Sequence, residues 1–516
     1  MLSFFTPNLT LLILPIFIAL FLTYRLKTGH SSKALQDGIH QSCKPPPKYP
    51  HLEHVIGIDL MYKTFRLMTQ KRAITALAER HKKYGLTFEI VSVGQRVLHT
   101  MHPENFKAVY GSNWEDWGVE PARLKAMEPF CGRGFITTDG EIWKYVRRIM
   151  KPAFSETDAV DLDSLGVAVG ECLSELPADG KMVDFAPIFY DLCLDMAGRF
   201  LLGQRLSEIL KDQNAPPPVD SKTFLAALHA SQSWVLLRVV FGALAQYFPN
   251  PKWKRDCRTL HSFVDHYVDR ALAEEEKLQG LKPITQTNSK IYLPSFSLVR
   301  SLAKQTSSRY EIRSQVIQSI LAMQDTTSTL LSNTIFLLSR NPTIWASLRE
   351  EVLGQNGQLT AKELKKMTLL QNILKESLRI YPVFATSGRT ALRDTVLPTG
   401  GGPDGKSPIF VRSNDRIITC FYGLHRDASV FGPDVEVFNP DRWKSISPGA
   451  WEYLPFSNGP RGCPGQNKAL VEASFIVAQL AIRFIRIESR DDQDWAGDWK
   501  LVLKNFNGCK VAMYPV

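Results

Sequence analysis

The hydrophobic and polar positions divide this chain into three stretches. Met1–Tyr24 carries no charged side chain, and Leu9–Leu22 is nearly continuous Leu, Ile, Phe and Ala, interrupted by Thr10 and Pro15. A helix of that length reaches roughly 36 Å at ~1.5 Å per residue, enough for a hydrocarbon core of ~30 Å. The first basic residues, Arg25, Lys27 and Lys33, come after the apolar run. A cleaved signal peptide has its basic residues in front and a small-x-small site behind. Residues 1–24 therefore predict a retained single-pass anchor with the remainder cytosolic. Asn8-Leu9-Thr10 is a glycosylation sequon, but it abuts the expected membrane and reads as unused.

Residues 25–54 form a basic, proline-rich linker. It ends in Lys44-Pro45-Pro46-Pro47-Lys48-Tyr49-Pro50, whose prolines exclude helix and predict a stiff extended connector. From 55 to 516 the pattern is that of one large domain, mainly α with small β-sheets. Amphipathic helical periodicity dominates, with short strands near Thr87–Val97 and Pro408–Cys420. Asn214–Asp220 and Thr285–Ser289 read as loops too short to divide the domain.

The longest helix is expected from Ser308, where Ser308-Arg309-Tyr310-Glu311 fits a capping box, to Arg340, before Asn341-Pro342. Its apolar pattern is interrupted by six polar residues, Gln324 to Thr329. Each buried polar group without a partner costs about 1–3 kcal/mol, so such a notch in a core helix is a functional-site candidate. The alternative is that its hydroxyls bond back to the carbonyl one turn earlier.

Composition narrows the class. With 44% hydrophobic and 22% charged residues the chain is neither a disordered tail, a collagen nor a multi-span transporter. The eight cysteines (43, 131, 172, 193, 257, 420, 463 and 509) include no C-x-x-C pair. A disulfide-dense scaffold, a zinc ribbon and a cysteine-held iron–sulfur cluster are thereby excluded, and any cysteine chemistry belongs to one isolated thiol. The net charge of +11 comes without a basic low-complexity arm or a nucleic-acid motif, so no nucleic-acid partner is expected.

That thiol is in Phe456-Ser457-Asn458-Gly459-Pro460-Arg461-Gly462-Cys463-Pro464-Gly465. Gly459, Gly462 and Gly465 permit a tight loop that approaches a flat ligand closely. Pro464 suits a first helical position, Gln466–Ile485 reads as a buried helix, and a thiol at its N-terminus near Arg461 is expected to have a depressed pKa. Such a thiolate serves as a nucleophile or as an axial metal ligand.

F-x-x-G-x-R-x-C-x-G is the signature of the cytochrome P450 family, and all five fixed positions match. The chain resembles a membrane-anchored eukaryotic member from about residue 43 to 516. The resemblance implies the cytochrome P450 fold, an α+β single haem domain, with haem b (iron protoporphyrin IX) and Cys463 as the proximal thiolate ligand of its iron. It implies that Glu376 and Arg379 of Glu376-Ser377-Leu378-Arg379 join Arg442 of Phe438-Asn439-Pro440-Asp441-Arg442-Trp443 in a network that locks the fold around the haem pocket. Trp143, Arg147, Arg389 and Arg461 resemble the haem-carboxylate partners, with Phe456, Gly459 and Gly465 completing the cofactor loop. Glu120-Pro121-Ala122-Arg123 also reads E-x-x-R, and Trp234/Arg238 and Trp345/Arg349 repeat the W-x-x-x-R spacing. Order and distance to Cys463 select the copies above.

Ala322-Met323-Gln324-Asp325-Thr326-Thr327 resembles the family's distal motif, in which Asp325 and Thr326 would deliver protons to bound oxygen. Met323 stands where the family usually has glycine, a departure expected to reshape the pocket or displace the oxygen-binding groove. The resemblance further implies O2 and NADPH as co-substrates, a separate NADPH–cytochrome P450 reductase with cytochrome b5 as a second electron donor, membrane lipid, and the cytosolic face of the endoplasmic reticulum. Lys144, Arg148 and Lys151 would flank the reductase-docking face. Trp114–Phe130, Phe224–Val240, Leu321–Thr326 and Val383–Ser387 are apolar-rich and would line the space for a small apolar substrate. The proline run, Asp139-Gly140-Glu141 and Leu397–Gly405 look like fungal alkane and fatty-acid hydroxylases. A specialised-metabolite branch, terpenoid or polyketide, is the first reading, and terminal hydroxylation of a fatty acid or alkane the alternative.

Two rivals remain. Gly400–Ser407 formally satisfies G-x-x-x-x-G-K-[ST], but a phosphate loop needs a following helix, and Pro408–Arg412 reads as a strand. A glycine-rich hairpin is expected there. The other rival keeps the haem and rearranges a peroxide or dehydrates an oxime without an electron donor, against which Asp325 and Thr326 argue.

Overall fold

Arg309–Leu338 is an unbroken α-helix that runs through the centre of the domain. It starts at Ser308, whose side-chain oxygen accepts the Glu311 N–H at 3.3 Å. The reciprocal half of the expected capping box is absent, because the Glu311 carboxylate accepts instead from the Thr306 hydroxyl at 2.7 Å. The computed structural model describes residues 42–155, 161–177, 180–209, 217–241, 249–280, 296–355 and 359–516. The expected anchor, the sequon, the linker up to residue 41, Thr285–Ser289 and the first part of Asn214–Asp220 lie outside the described residues. Among the described residues no helix is long and apolar enough to cross a membrane.

The fold is mainly helical with small sheets, as expected. The long helix packs most extensively on Phe185–Leu202. One apolar cluster takes Leu330–Leu338 of the long helix together with Phe189, Leu192 and Val477, while a second takes Ile312–Leu321 together with Phe130, Phe200 and Phe263. The polar residues 324–329 fall between these two cores. Such packing drives helix formation here more than propensity does.

The five-stranded sheet has the order Thr87–Ser92, Gln95–Thr100, Arg416–Cys420, Thr386–Ala391, Trp117–Gly118. Its first pair turns at Val93-Gly94, both with positive φ (51° and 68°). Thr395–Gly401 and Ser407–Val411 pair antiparallel, so Ser407 opens a strand where a phosphate loop requires a helix. The glycine-rich hairpin is therefore what the chain forms. The Lys44–Pro50 connector is extended as expected and lies along that hairpin, through Lys44 N–H to Pro408 O (2.9 Å) and Gly402 N–H to Pro45 O (3.0 Å).

Two smaller features position the site. Glu120–Cys131 contains Pro129, which lacks the N–H that would bond Lys125 O. Arg238 of Ser221–Phe241 donates there instead, to Lys125 O (3.4 Å) and Ala126 O (2.9 Å). The C-terminal hairpin Gly497–Trp499 and Leu503–Asn505 lies against the long helix through Trp495 Nε1, which donates to Asn333 Oδ1 at 3.0 Å.

Candidate active site

Cys463 ends a loop held by its own backbone. Its N–H donates to Phe456 O (3.0 Å), Gly462 N–H to Gly459 O (2.9 Å), and Ser457 N–H to Leu454 O (3.1 Å). Gly459 has φ +72°, and a Cβ there would stand 1.9 Å from the Tyr110 carbonyl oxygen. Glycine is the residue that fits. The following helix is Gln466–Arg483 with Gly465 as its N-cap, so Pro464 lies before the helix rather than at its first position, and Phe484 already belongs to a strand.

Of the eight cysteines, Cys463 alone is exposed. Surrounding chain nevertheless crowds it enough that burial raises its thiol above the usual value, with the Gly465 N–H and the Arg147 charge pulling the other way. The depressed thiol expected from the helix terminus is therefore not found in the free loop: desolvation outweighs the dipole. A residue this deep keeps accessible surface by bordering an internal space.

Four guanidinium groups converge beside it. Arg147 donates to Gly462 O at 2.9 Å, fixing the cysteine loop to the helix Gly140–Ser155. Arg461 donates to Thr138 O (2.8 Å) and Asp139 Oδ1 (2.6 Å) and stacks 4.5 Å over the buried Trp143 ring. Arg389 bonds Ser387 Oγ (3.0 Å) and Gly388 O (2.9 Å) and lies 4.7 Å over Tyr110. Arg123 donates to Ile136 O at 3.2 Å. Burial first, then the charges of its arginine neighbours, pushes Arg123 down to about 10, and burial with Arg389 and Arg147 pushes Arg461 to about 10 against the opposing pull of Asp139.

The charges acting on this group are four arginines against two carboxylates, Asp139 and Glu120. Glu120 is shared with a fifth arginine, Arg133, at 3.6 Å, so positive charge is left over, and Arg461 Nε is buried with no partner. Buried donors in native proteins are almost always bonded, and buried like charges need a counter-ion. A flat dianion fits both requirements. The expected haem therefore matches the residues present: a lone thiol facing an internal space, a glycine loop in close approach, and a surplus of positive charge for its two carboxylates. Arg123 and Asp139 belong to this group and were not selected as site residues from the sequence. Among the described residues no cluster of three or more His, Cys, Asp or Glu could hold a metal ion.

From Ser314 to Leu331 every residue of the long helix is buried except Ala322, Met323 and Thr326. These three, at i, i+1 and i+4, share one face and mark where the helix borders open space. The polar notch is no break in the helix. Thr326 donates its hydroxyl to Ala322 O (2.8 Å), Ser328 to Gln324 O (3.0 Å) and Thr329 to Asp325 O (2.6 Å). Asp325 is turned away from Thr326: its Oδ1 pairs with Lys504 Nζ at 2.7 Å. Lys504 has no motif that marks it in the sequence. Gln324 is fully buried with both amide atoms unpartnered.

Glu376, Arg379 and Arg442 come together as expected. Arg379, fully buried, forks onto Glu376 through Nε (2.9 Å) and Nη2 (2.8 Å). Arg442 Nε (3.2 Å), the Asn439 N–H (3.2 Å) and Trp443 Nε1 (3.0 Å) complete the shell of the same carboxylate. Asp434 meets the far side of Arg442 at 2.6 Å. Lys144, Arg148 and Lys151 are exposed on the helix Gly140–Ser155, and Lys144 pairs with Glu141 (3.0 Å) and Glu115 (3.4 Å).

Comparison with known proteins agrees with this geometry. The family profile described as Cytochrome P450 matches residues 47–505. Cytochrome P450 monooxygenase iccC of Talaromyces variabilis is 33% identical over 514 residues, covering 96% of this chain and 97% of that protein. Cytochrome P450 monooxygenase apdE of Emericella nidulans is 32% identical over 477 residues, covering 92% and 89%. Cytochrome P450 52E1 of Candida apicola is 32% identical over 449 residues, covering 84% of each.

Proposed function

The chain belongs to the cytochrome P450 family, and on that premise we propose that it is a fungal monooxygenase of specialised metabolism that oxidises a small apolar substrate at the endoplasmic reticulum. It is an oxidoreductase whose family uses haem, O2 and electrons from a reductase. The observation that carries the reading is the exposed thiol of Cys463 beside a cluster of arginines whose positive charge its carboxylates do not balance.

Cys463 would hold the iron, while Arg123, Arg147, Arg389 and Arg461 would neutralise the haem carboxylates. The haem, when bound, supplies oxygen activation, and a thiolate ligand favours O–O cleavage. This chain's own residues do the remaining work. Gly459 lets the loop lie against Tyr110, and Trp143 keeps Arg461 flat and dehydrated. Ala322, Met323 and Thr326 face the substrate space, where Met323 takes up room that a glycine would leave open. Thr326 and Asp325 are the groups that would move protons. The apolar segments Trp114–Phe130 and Val383–Ser387 keep water away from the reacting bond and favour an apolar guest.

Electrons come from a separate NADPH-dependent reductase, for which Lys144, Arg148 and Lys151 offer a basic landing face. Residues 1–24 anchor the enzyme in the membrane. A second reading, terminal hydroxylation of a fatty acid or alkane, draws on Asp139-Gly140-Glu141 and the Leu397–Gly405 segment.

Full-length enzyme in vesicles with reductase tests the scheme. Oxidised product should form from apolar candidates only when NADPH and reductase are both present. Equal turnover without either would instead identify a peroxide- or oxime-converting haem enzyme.

A further inference from the structure

Asp325 is held by a residue that lies 179 positions away in the chain, Lys504. Lys504 sits on the strand Leu503–Asn505, directly opposite Asp498 in the antiparallel register. A lysine there would normally bond across the hairpin, since facing residues share one side of the sheet. Asp498 is already taken by Lys71 Nζ (2.6 Å) and Lys500 Nζ (2.8 Å). Lys504 reaches instead to Asp325 Oδ1 at 2.7 Å, with its ammonium 5.0 Å over the Tyr190 ring. Asp325 is almost closed to solvent, and the lysine is not: their side chains are 11% and 40% exposed. The pair therefore closes the outer end of the long helix's polar notch.

The same hairpin is tied to the substrate-facing segment. Leu503 N–H donates to Val383 O at 2.8 Å, one residue before Lys504. Trp495 meanwhile holds the base of the hairpin to Asn333, two turns along the same helix from Asp325. Thr326 is engaged elsewhere, with its hydroxyl on Ala322 O. In this arrangement the two side chains of the proposed proton-moving pair bond to different partners.

We propose that Lys504 is a positioning residue that holds the Asp325 carboxylate on the hairpin side of the long helix, so that proton supply toward Thr326 depends on the position of the Gly497–Asn505 hairpin. The proposal rests on the monooxygenase reading of Asp325 and Thr326. A guest that displaces Val383–Ser387 pulls on Leu503, and the adjacent Lys504 then loosens or tightens its hold on Asp325. Substrate occupancy and proton delivery are thereby joined through one ion pair, without a direct contact between guest and carboxylate.

The test uses the full chain with haem and reductase, comparing Lys504→Met, Lys504→Arg, Asp325→Asn and Thr326→Ala, each with its reduced carbon-monoxide spectrum intact. Two readouts are needed. In the resting protein, hydrogen–deuterium exchange across residues 497–505 should quicken roughly threefold in both Lys504→Met and Asp325→Asn, and the double variant should be no faster than either. In turnover, Lys504→Met should change hydrogen peroxide released per NADPH by roughly threefold, and Lys504→Arg should restore it. Wild-type hairpin exchange in both single variants, or additive effects in the double variant, overturns the proposal. Silent Lys504 variants beside a peroxide-releasing Thr326→Ala would overturn it while leaving the reading of Thr326 in place. Fully coupled turnover in Thr326→Ala and Asp325→Asn alike would remove both.

Discussion

Arg461 is pressed among three other guanidinium groups, with one nitrogen left without a partner. Its spacing from Cys463 made it legible in the sequence, as spacing from Arg379 did for Arg389. Arg123 was hidden for the same reason that others were found. Its E-x-x-R context is a spurious copy of the Glu376–Arg379 pattern, and only the folding of Glu120–Cys131 over the site brings it to the cluster. Asp139 was likewise visible only as a subfamily mark, although it is the carboxylate that orients Arg461. If this cluster holds a dianion, Arg123→Ala removes one charge-assisted contact of about 1.5–3 kcal/mol. Haem should then pass to an acceptor apoprotein at least roughly tenfold faster, with Arg123→Lys in between. A wild-type rate of haem loss would show that Arg123 serves packing alone.

At the scale of elements, the periodicity placed the long helix well and left two readings of its middle open. Six polar residues looked like an interruption, yet hydroxyls at 326, 328 and 329 bond back along the helix, and no turn opens. Met323 fits that continuity, since methionine is a far better helix former than glycine. The boundary near Cys463 was harder to see, because Pro464 favours a first helical position and the chain delays the helix to Gln466. The buried Glu376–Arg379–Arg442 unit was fully legible, since its members lie on recognisable motifs. It joins the helix Thr368–Ile380 to the segment Phe431–Trp443 through one carboxylate. Glu376→Ala leaves the buried Arg379 without a carboxylate, while Arg442 keeps Asp434, and should cost about 3–5 kcal/mol. The enzyme should lose its thermal midpoint and its haem band together. Wild-type stability in that variant would mean that the network is not structural.

For the molecule as a whole, three buried histidines set the acid limit. Burial holds His81 down to about 4 and His425 to about 3, and His99 lies well below the usual value. The His425 ring accepts the Leu454 N–H through Nε2 at 2.9 Å, a bond that protonation destroys. Once unfolded, each ring takes a proton near pH 6.5, which the native state refuses. Stability is thus fully present above that pH and is lost as pH falls from about 6.5 toward 4, by up to a few kcal/mol. Thermal midpoints measured between pH 7.5 and 4.5 should decline, and His81→Phe should flatten the slope. A midpoint that stays level over this range would contradict the neutral burial of these rings. None of this was visible in the sequence, where a histidine in a helix such as Ala73–Tyr84 looks the same whether it faces solvent or sheet.

The central claim is that Cys463, at the edge of an internal space rich in arginine, is the thiolate that holds haem. The most direct test is the absorption difference spectrum of the reduced, carbon-monoxide-bound protein in membranes, for wild type and Cys463→Ala. The account predicts the strongly red-shifted Soret band of thiolate-ligated haem in the wild type and its disappearance in the variant. A folded wild-type protein without that band, or a band that survives Cys463→Ala, would contradict it.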